Sequence, residues 1–292
     1  MTQSDELYPL SDRAILTISG ADRKKFLQGL ITNDVEKLSG TPISSSPTSA
    51  PPTTVNLAIY AALLTAQGKY LHDFFITEVG ETLYLDCERV GLPDLFKRLM
   101  MYRLRADVTI IDGTDDFDVM ASGQPAPDAV VNAQDPRHKA MGYRVILKAT
   151  EKRQPPYDIN NHYDELRLTW GLPDGSRDFN RDKTLILEGN IEDLNGVDFD
   201  KGCYVGQEVT ARMKHRTSLK KRLLPVKLDG DLPPHGTEIT NEAGKKIGDL
   251  RSGKEGRAIG YFRLADMTYG TAYACGNSRV TPWRPDWLKD PT

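Results

Sequence analysis

The sequence predicts an α+β body followed by a small C-terminal β-barrel. Up to about residue 216, helical periodicity is mixed with antiparallel-type hairpins, a pattern that reads as α+β rather than as a doubly wound sheet. From Thr217 onward, short strand-like runs alternate with glycine-rich turns and no helix intervenes, as in a small barrel. A chain of 292 residues buries a large core and ordinarily makes two domains or more. The expected division is 1–216 and 217–292.

The elements follow from local signals. Ser19-Gly20-Ala21-Asp22 reads as a capping box, and Phe26, Leu27, Leu30 and Ile31 then recur at helical spacing. Asn33 is placed to cap a second short helix, with Asp34 and Glu36 in its first turn. Gly40 to Thr54 is rich in Ser, Thr and Pro and reads as a mobile loop. Val55–Thr65 and Tyr70–Glu78 are strand-like and joined by Ala66-Gln67-Gly68-Lys69, a hairpin signal; Thr82–Cys87 is a third strand. Pro93 suits the first turn of a helix carrying Leu95, Phe96, Leu99 and Met100. Asp107–Asp112, Phe117–Ala121 and Tyr143–Lys148 read as strands. Asn160–Trp170 reads as a helix ending at Gly171 and Pro173. In the barrel region the strands are Arg222–Leu228, Lys246–Arg251, Ala258–Arg263 and Thr271–Cys275. Trp283 and Trp287 are expected to clamp the tail onto the body.

Composition narrows the function classes. Hydrophobic residues make up 39% and charged residues 27%, an ordinary soluble composition. A net charge of −3 argues against wholesale polyanion binding but leaves room for a local basic patch. No apolar run reaches the roughly 18 residues of a membrane span. Met1–Leu10 lacks an apolar core and reads as neither a signal peptide nor an arginine-rich transit peptide. The three separated cysteines, Cys87, Cys203 and Cys275, indicate a reducing compartment, and the cytoplasm is the expected location. Three thiolates cannot complete a four-cysteine cluster site, so iron or sulfur chemistry needs ligands from a partner.

The densest motif is Lys201-Gly202-Cys203-Tyr204-Val205-Gly206-Gln207-Glu208, with Arg212 one turn on. The glycines allow close backbone approach, and Val205–Met213 reads as a helix start. A cysteine before a helix N-terminus and near a lysine is expected to be partly thiolate. Cys203 is therefore the candidate functional thiol, with a buried turn cysteine as the simpler alternative.

This motif resembles the signature of the YgfZ family, folate-binding relatives of the glycine-cleavage T-protein implicated in assembly or repair of iron–sulfur enzymes. The resemblance extends through Phe26–Val35, Leu64–Lys69 and Leu185–Glu188, the last similar to the strand that faces folate in the T-protein relatives. The 42–54 segment stands out as an insertion. The resemblance implies a T-protein-like folate-binding body with an interleaved subdomain and a C-terminal β-barrel. It implies tetrahydrofolate or a derivative as ligand and iron–sulfur assembly or client proteins as partners. A monomer is expected; hydropathy gives no membrane partner, and the lack of aromatic interleaving or an RNA motif weighs against nucleic acid. The implied contact residues are Glu188, Gly68, Lys69, Asp73, Lys201, Gly202, Tyr204, Gly206, Gln207, Glu208 and Arg212, with no metal site in the chain itself.

Residue chemistry weighs each role. Glu188 beside an apolar run must be paired or bind something polar, and a pterin edge offers two adjacent N–H donors to one carboxylate. On composition alone, a strand-end glutamate facing solvent is the simpler reading; the resemblance reverses it. The T-protein carries two adjacent aspartates where this chain has His72-Asp73, a departure that weighs against aminomethyl transfer and leaves folate binding open. Arg212, Lys214, Arg216, Lys220, Lys221 and Arg222, with His215 among them, read as a docking surface for a folate tail, an RNA-facing patch or a solvated connector. Two rivals accompany the folate-binding assembly factor: a folate-dependent one-carbon transferase, and an RNA-associated adaptor for tRNA modification.

Overall fold

The computed structural model describes residues 6–40, 43–45, 53–149, 160–216 and 219–289. The chain divides into two compact units, each assembled from three segments. The first comprises Met1–Leu64, His72–Tyr163 and Leu194–Val205; the second comprises Thr65–Leu71, Asp164–Asp193 and Gly206–Thr292.

The first unit is built on a five-stranded sheet in the order Ala58–Leu64, Tyr70–Val79, Thr82–Glu88, Arg13–Ser19, Thr109–Asp112. Arg13–Ser19 pairs antiparallel with Thr82–Glu88, and alternation turns Ala14, Leu16 and Ile18 to one face. There they meet Leu27 from the Arg23–Gln28 helix, Ile31 just past its end in a bridge to Leu63, and Leu95 and Leu99 from the Leu92–Arg103 helix in one buried cluster; the first of these helices stops before the Leu30 and Ile31 positions that the helical spacing gave it. Pro93 sits in that helix's first turn, as expected. A second sheet runs Leu7–Pro9, Phe117–Ser122, Tyr143–Lys148, Val131–Gln134.

Buried charges tie these strands together. Asp86 receives Arg13 at 2.7 Å and also pairs with Arg144. Asp135 receives Arg137 at 2.8 Å, and Arg137 also reaches the Tyr163 hydroxyl. The guanidinium of Arg144 lies 3.8 Å from the Phe75 ring centroid. Such pairs hold one arrangement because breaking any of them strands a buried charge.

The second unit contains a closed barrel in the order Lys221–Asp229, Arg257–Arg263, Lys246–Lys254, Glu238–Thr240, Tyr273–Cys275, Ser278–Pro282. Leu224, Val226, Ile239, Ile247, Leu250, Phe262 and Val280 fill it. Four of these strands are where the sequence places them; Glu238–Thr240 and Ser278–Pro282 are added by the structure. The Asn160–Trp170 helix matches the expected range. Its Arg167 is fully buried, bonded to Asp164, Asp178 and Ser252. Trp287 donates to the Trp170 carbonyl at 2.7 Å, the tail contact expected of it.

Four local expectations change. The capping box does not form: Ser19 ends a strand, and Asp22 accepts from the Asp107 amide instead of capping the Arg23–Gln28 helix. The second short helix is a 3₁₀ segment, Val35–Ser39, capped by Asp34 rather than Asn33. Within the expected loop, Ile43–Ser45 and Thr53–Val55 pair as an antiparallel ladder; residues 41–42 and 46–52 lie outside the described residues. Leu185–Glu188 is not a strand. It is a run of turns with a single bridge from Leu185 to Lys69, because Tyr70 already takes the Thr184 carbonyl and the chain folds back onto itself within a few residues. The expected 216/217 boundary adjoins residues 217–218, which also lie outside the described residues.

Candidate functional site: an exposed thiol and an anchored carboxylate

The segment from Asp198 to Val205 belongs to the first unit and is fastened to the Ile31–Asn33 turn. Asp198 donates its amide to the Thr32 carbonyl at 2.9 Å, and Val205 donates to the Gly29 carbonyl at 3.3 Å. Between them Lys201 is buried, and its ammonium donates to the carbonyls of Ile31 and Asn33, each at 2.7 Å. The Tyr204 ring lies 5.3 Å from that ammonium and is itself buried. Burial pulls the Lys201 pKa down to about 8, against the opposing pull of Asp34 and Asp198. Lys201 is thus a clamp on backbone oxygens rather than a cation directed at the neighbouring thiol. Asn33, read from sequence as a cap, holds the same turn by donating to the Tyr60 and Asn195 carbonyls.

Cys203 emerges from this clamp as an exposed, free thiol. The helix begins at Gln207, four residues later, so the expectation of a cysteine at a helix N-terminus is corrected: Gly206, at φ +85°, turns the chain first. Gly202 has a φ outside the left-handed region, and a Cβ built on it meets nothing within 4 Å. The fold does not require a glycine there. Cys87 and Cys275 differ sharply: both are buried, and burial pushes their thiols up to about 12 and about 11. Among the described residues, no group of three or more His, Cys, Asp or Glu side chains is arranged to hold a metal ion.

The rest of the motif lies in the second unit. Thr210 bonds back to the Gly206 carbonyl through its hydroxyl at 3.1 Å, Gln207 is half-buried, and Glu208 and Arg212 are exposed. The hairpin turn packs here: a Cβ on Gly68, at φ +73°, would lie 3.1 Å from Val209 and 3.3 Å from the Gly206 carbonyl. Gly68 therefore lies against the Gly206–Val209 segment of the second unit. In the first unit, Asp73 is buried and accepts from the Tyr60 hydroxyl at 2.8 Å, and His72 pairs with Asp94 at 2.8 Å.

Glu188 does not face solvent from a strand end. Its carbonyl accepts from Leu223 at 2.8 Å and its Oε2 accepts from the Tyr261 hydroxyl at 2.5 Å. Burial first, and then that bond, raise the phenol's pKa. The basic run is dismantled. Lys214 pairs with Glu192, and Arg222 is buried against Asn190 and Asp193. Lys220, Lys221 and Arg212 stay exposed. Tyr261, Tyr60 and Asp94 carried no sequence signal as site partners, because each meets its partner only through long-range strand pairing or packing.

A chain from Mus musculus described as "Iron-sulfur cluster assembly factor IBA57, mitochondrial" is 31% identical, over 96% of this chain and 84% of its own length. The chain belongs to the IBA57 family. The Homo sapiens relative of the same description is also 31% identical, over 85% of this chain and 74% of its length. The Mycosarcoma maydis homologue is 35% identical and is spanned over 59% of its length. Residues 220–290 match the model of the CAF17 C-terminal β-barrel domain. The IBA57-family fold seen here is similar to that of the glycine cleavage system aminomethyltransferase T from Bartonella henselae, with a TM-score of 0.70 at 16% identity, over 97% of this chain and 86% of that one. The expected α+β body with a C-terminal barrel is therefore the observed one.

The cytoplasmic location is corrected. Mouse, human and fungal IBA57 relatives are all named mitochondrial. Free thiols persist in any reducing compartment, so the cysteine count never separated the cytoplasm from the mitochondrial matrix.

Proposed function

We propose that this protein is a mitochondrial iron–sulfur cluster assembly factor that binds a reduced folate and presents Cys203 to its partners. Membership of the IBA57 family supports the assembly role, and the YgfZ-like motif around Cys203 points the same way. The observation that carries the site is the contrast among three thiols: Cys203 is exposed on an immobilised segment, while Cys87 and Cys275 are buried. One accessible thiolate supplies one ligand to the iron of a cluster in transit, its proton leaving to solvent. The remaining ligands come from the partner, an assembly or client protein bearing its own thiolates.

Folate binding is the finer part of the reading. The donor set fits: Glu188 is half-buried and anchored, and one carboxylate accepts both N–H donors of a pterin edge. Exposed Arg212 is suited to the ligand's carboxylate tail. Bound folate supplies a one-carbon carrier; the chain's own residues bind and orient it. Asp73, buried and bonded to Tyr60, lends no support to a transferase role.

The test is complementation. In cells lacking the gene, wild-type protein should restore the activity of mitochondrial iron–sulfur enzymes, and Cys203→Ala should restore little of it despite normal abundance. Full rescue by Cys203→Ala would remove the thiol from the function.

A further inference from the structure

Glu188 is held by a single rung of the barrel. Leu223 and Tyr261 are register partners on adjacent strands. Leu223 donates its amide to the Glu188 carbonyl, and Tyr261 donates its hydroxyl to the Glu188 carboxylate. The rung therefore grips both the backbone and the side chain of one residue. Asn190, at φ +62°, tightens the turn: its Nδ2 donates to the Leu223 carbonyl at 2.8 Å, and its Oδ1 accepts from Arg222 at 2.5 Å. The Tyr261 ring is in turn steadied by cations, with the Arg251 guanidinium 5.2 Å and the Lys221 ammonium 5.5 Å from its centroid.

A surface glutamate ordinarily samples several rotamers, and ordering it on binding costs about 1 kcal/mol or more. Here that ordering precedes any ligand. A carboxylate offers about four lone-pair sites, so the Tyr261 hydroxyl occupies one and leaves acceptor capacity on both oxygens.

We propose that Tyr261 is a positioning residue for ligand recognition: it fixes the Glu188 carboxylate to receive the paired N–H donors of a 2-amino-4-oxopterin edge. The proposal rests on the folate reading of Glu188 given above. A ligand without the 2-amino group has only one donor to place and gains little from a carboxylate held in register. Selectivity between the two ligands, rather than affinity alone, is what the tyrosine controls.

The experiment is calorimetry on the full chain with tetrahydrofolate and with its 2-desamino-2-methyl analogue. Tyr261→Phe, which keeps the ring, should weaken tetrahydrofolate binding about ten-fold, the usual worth of one hydrogen bond to a charged group. The analogue should lose less than about two-fold, since its recognition does not use the second donor. In a Glu188→Gln background, Tyr261→Phe should have almost no further effect, because coupled residues are not additive. Equal losses for both ligands would reduce Tyr261 to a structural anchor and overturn the proposal, as would unchanged tetrahydrofolate binding. Melting of each variant checks the fold; if Tyr261→Phe unfolds the barrel, Tyr261→His, which retains a ring donor, must keep the ligand preference or the proposal fails. Absence of tetrahydrofolate binding by wild type would instead remove the folate reading, and the positioning role with it.

Discussion

Lys201 is followed by Gly202, and Glu188 by Gly189; in each pair a charged side chain leaves an irregular segment beside a glycine. The two pairs resolve in opposite ways. At residue 189, a Cβ would fall 2.0 Å from a Phe179 ring carbon, so the fold demands that glycine and Glu188 keeps a carboxylate held by Tyr261 at the surface of its turn. At residue 202 a Cβ meets open space, yet the neighbouring lysine is buried on two carbonyls. A charge next to a glycine is thus scaffold in one place and candidate site in the other. The difference is set by whether the surroundings offer the charge a complete set of partners.

That comparison breaks most visibly at the cysteines. At neutral pH, iodoacetamide should modify Cys203 at least about 1,000-fold faster than Cys87 or Cys275, because only an accessible thiolate reacts and the other two are buried with raised pKa values. Peptide mass spectrometry over a time course reads the three rates. Comparable labelling of Cys87 in folded protein would mean that the first unit opens readily and that exposure of Cys203 is not distinctive.

The clamp comes next in size. Lys201→Met should destabilise the first unit by about 2 kcal/mol, since it leaves the Ile31 and Asn33 carbonyls without their donor in a buried setting. Denaturant titration measures it, and an unchanged midpoint would show that water replaces the ammonium. The same residue sets a pH dependence. Its folded pKa, about 8, lies below the ordinary 10.5, so between those values the unfolded chain binds more protons than the folded one. The Lys201 contribution to stability therefore rises with pH through that window and is lost as pH falls through about 8. Wild type should gain stability from pH 7.5 to 10 relative to Lys201→Met; a relative loss over that range would reverse the assignment.

The smallest expected effect is at Gly202. Gly202→Ala should leave the melting temperature unchanged, within about 0.5 kcal/mol, because neither φ nor space opposes a methyl group. A drop in complementing activity at unchanged stability would locate a partner's approach at that backbone. A large loss of stability would instead make Gly202 a fold residue like Gly189.

Much of this was legible in the chain. Helical spacing of Leu95 and Leu99, and short strand-like runs between glycine-rich turns at the C-terminal end, are local signals, and the packed helix and the barrel strands follow them. The Lys201–Glu208 motif announced a special segment through residue types alone. The short strands that escaped notice run to three to five residues and carry too little periodicity, and Leu185–Glu188 looked like a strand because an apolar run without turn residues has the same composition in either state. Location was misread because cysteine count reports redox state, not address.

Sequence by itself determined most of the longer helical and extended segments, that the C-terminal residues form a barrel, and that one cysteine lies in an unusual context. Tertiary structure alone decided what each charge does. Lys201 points into the protein because the Ile31–Asn33 turn presents two carbonyls there, Arg222 is withdrawn from a seemingly basic surface by Asn190 and Asp193, and Glu188 is fixed by a tyrosine 73 residues away in sequence. The physical reason is desolvation. A buried charge is stable only where several groups converge on it, and convergence of groups far apart in the chain is a property of the folded molecule.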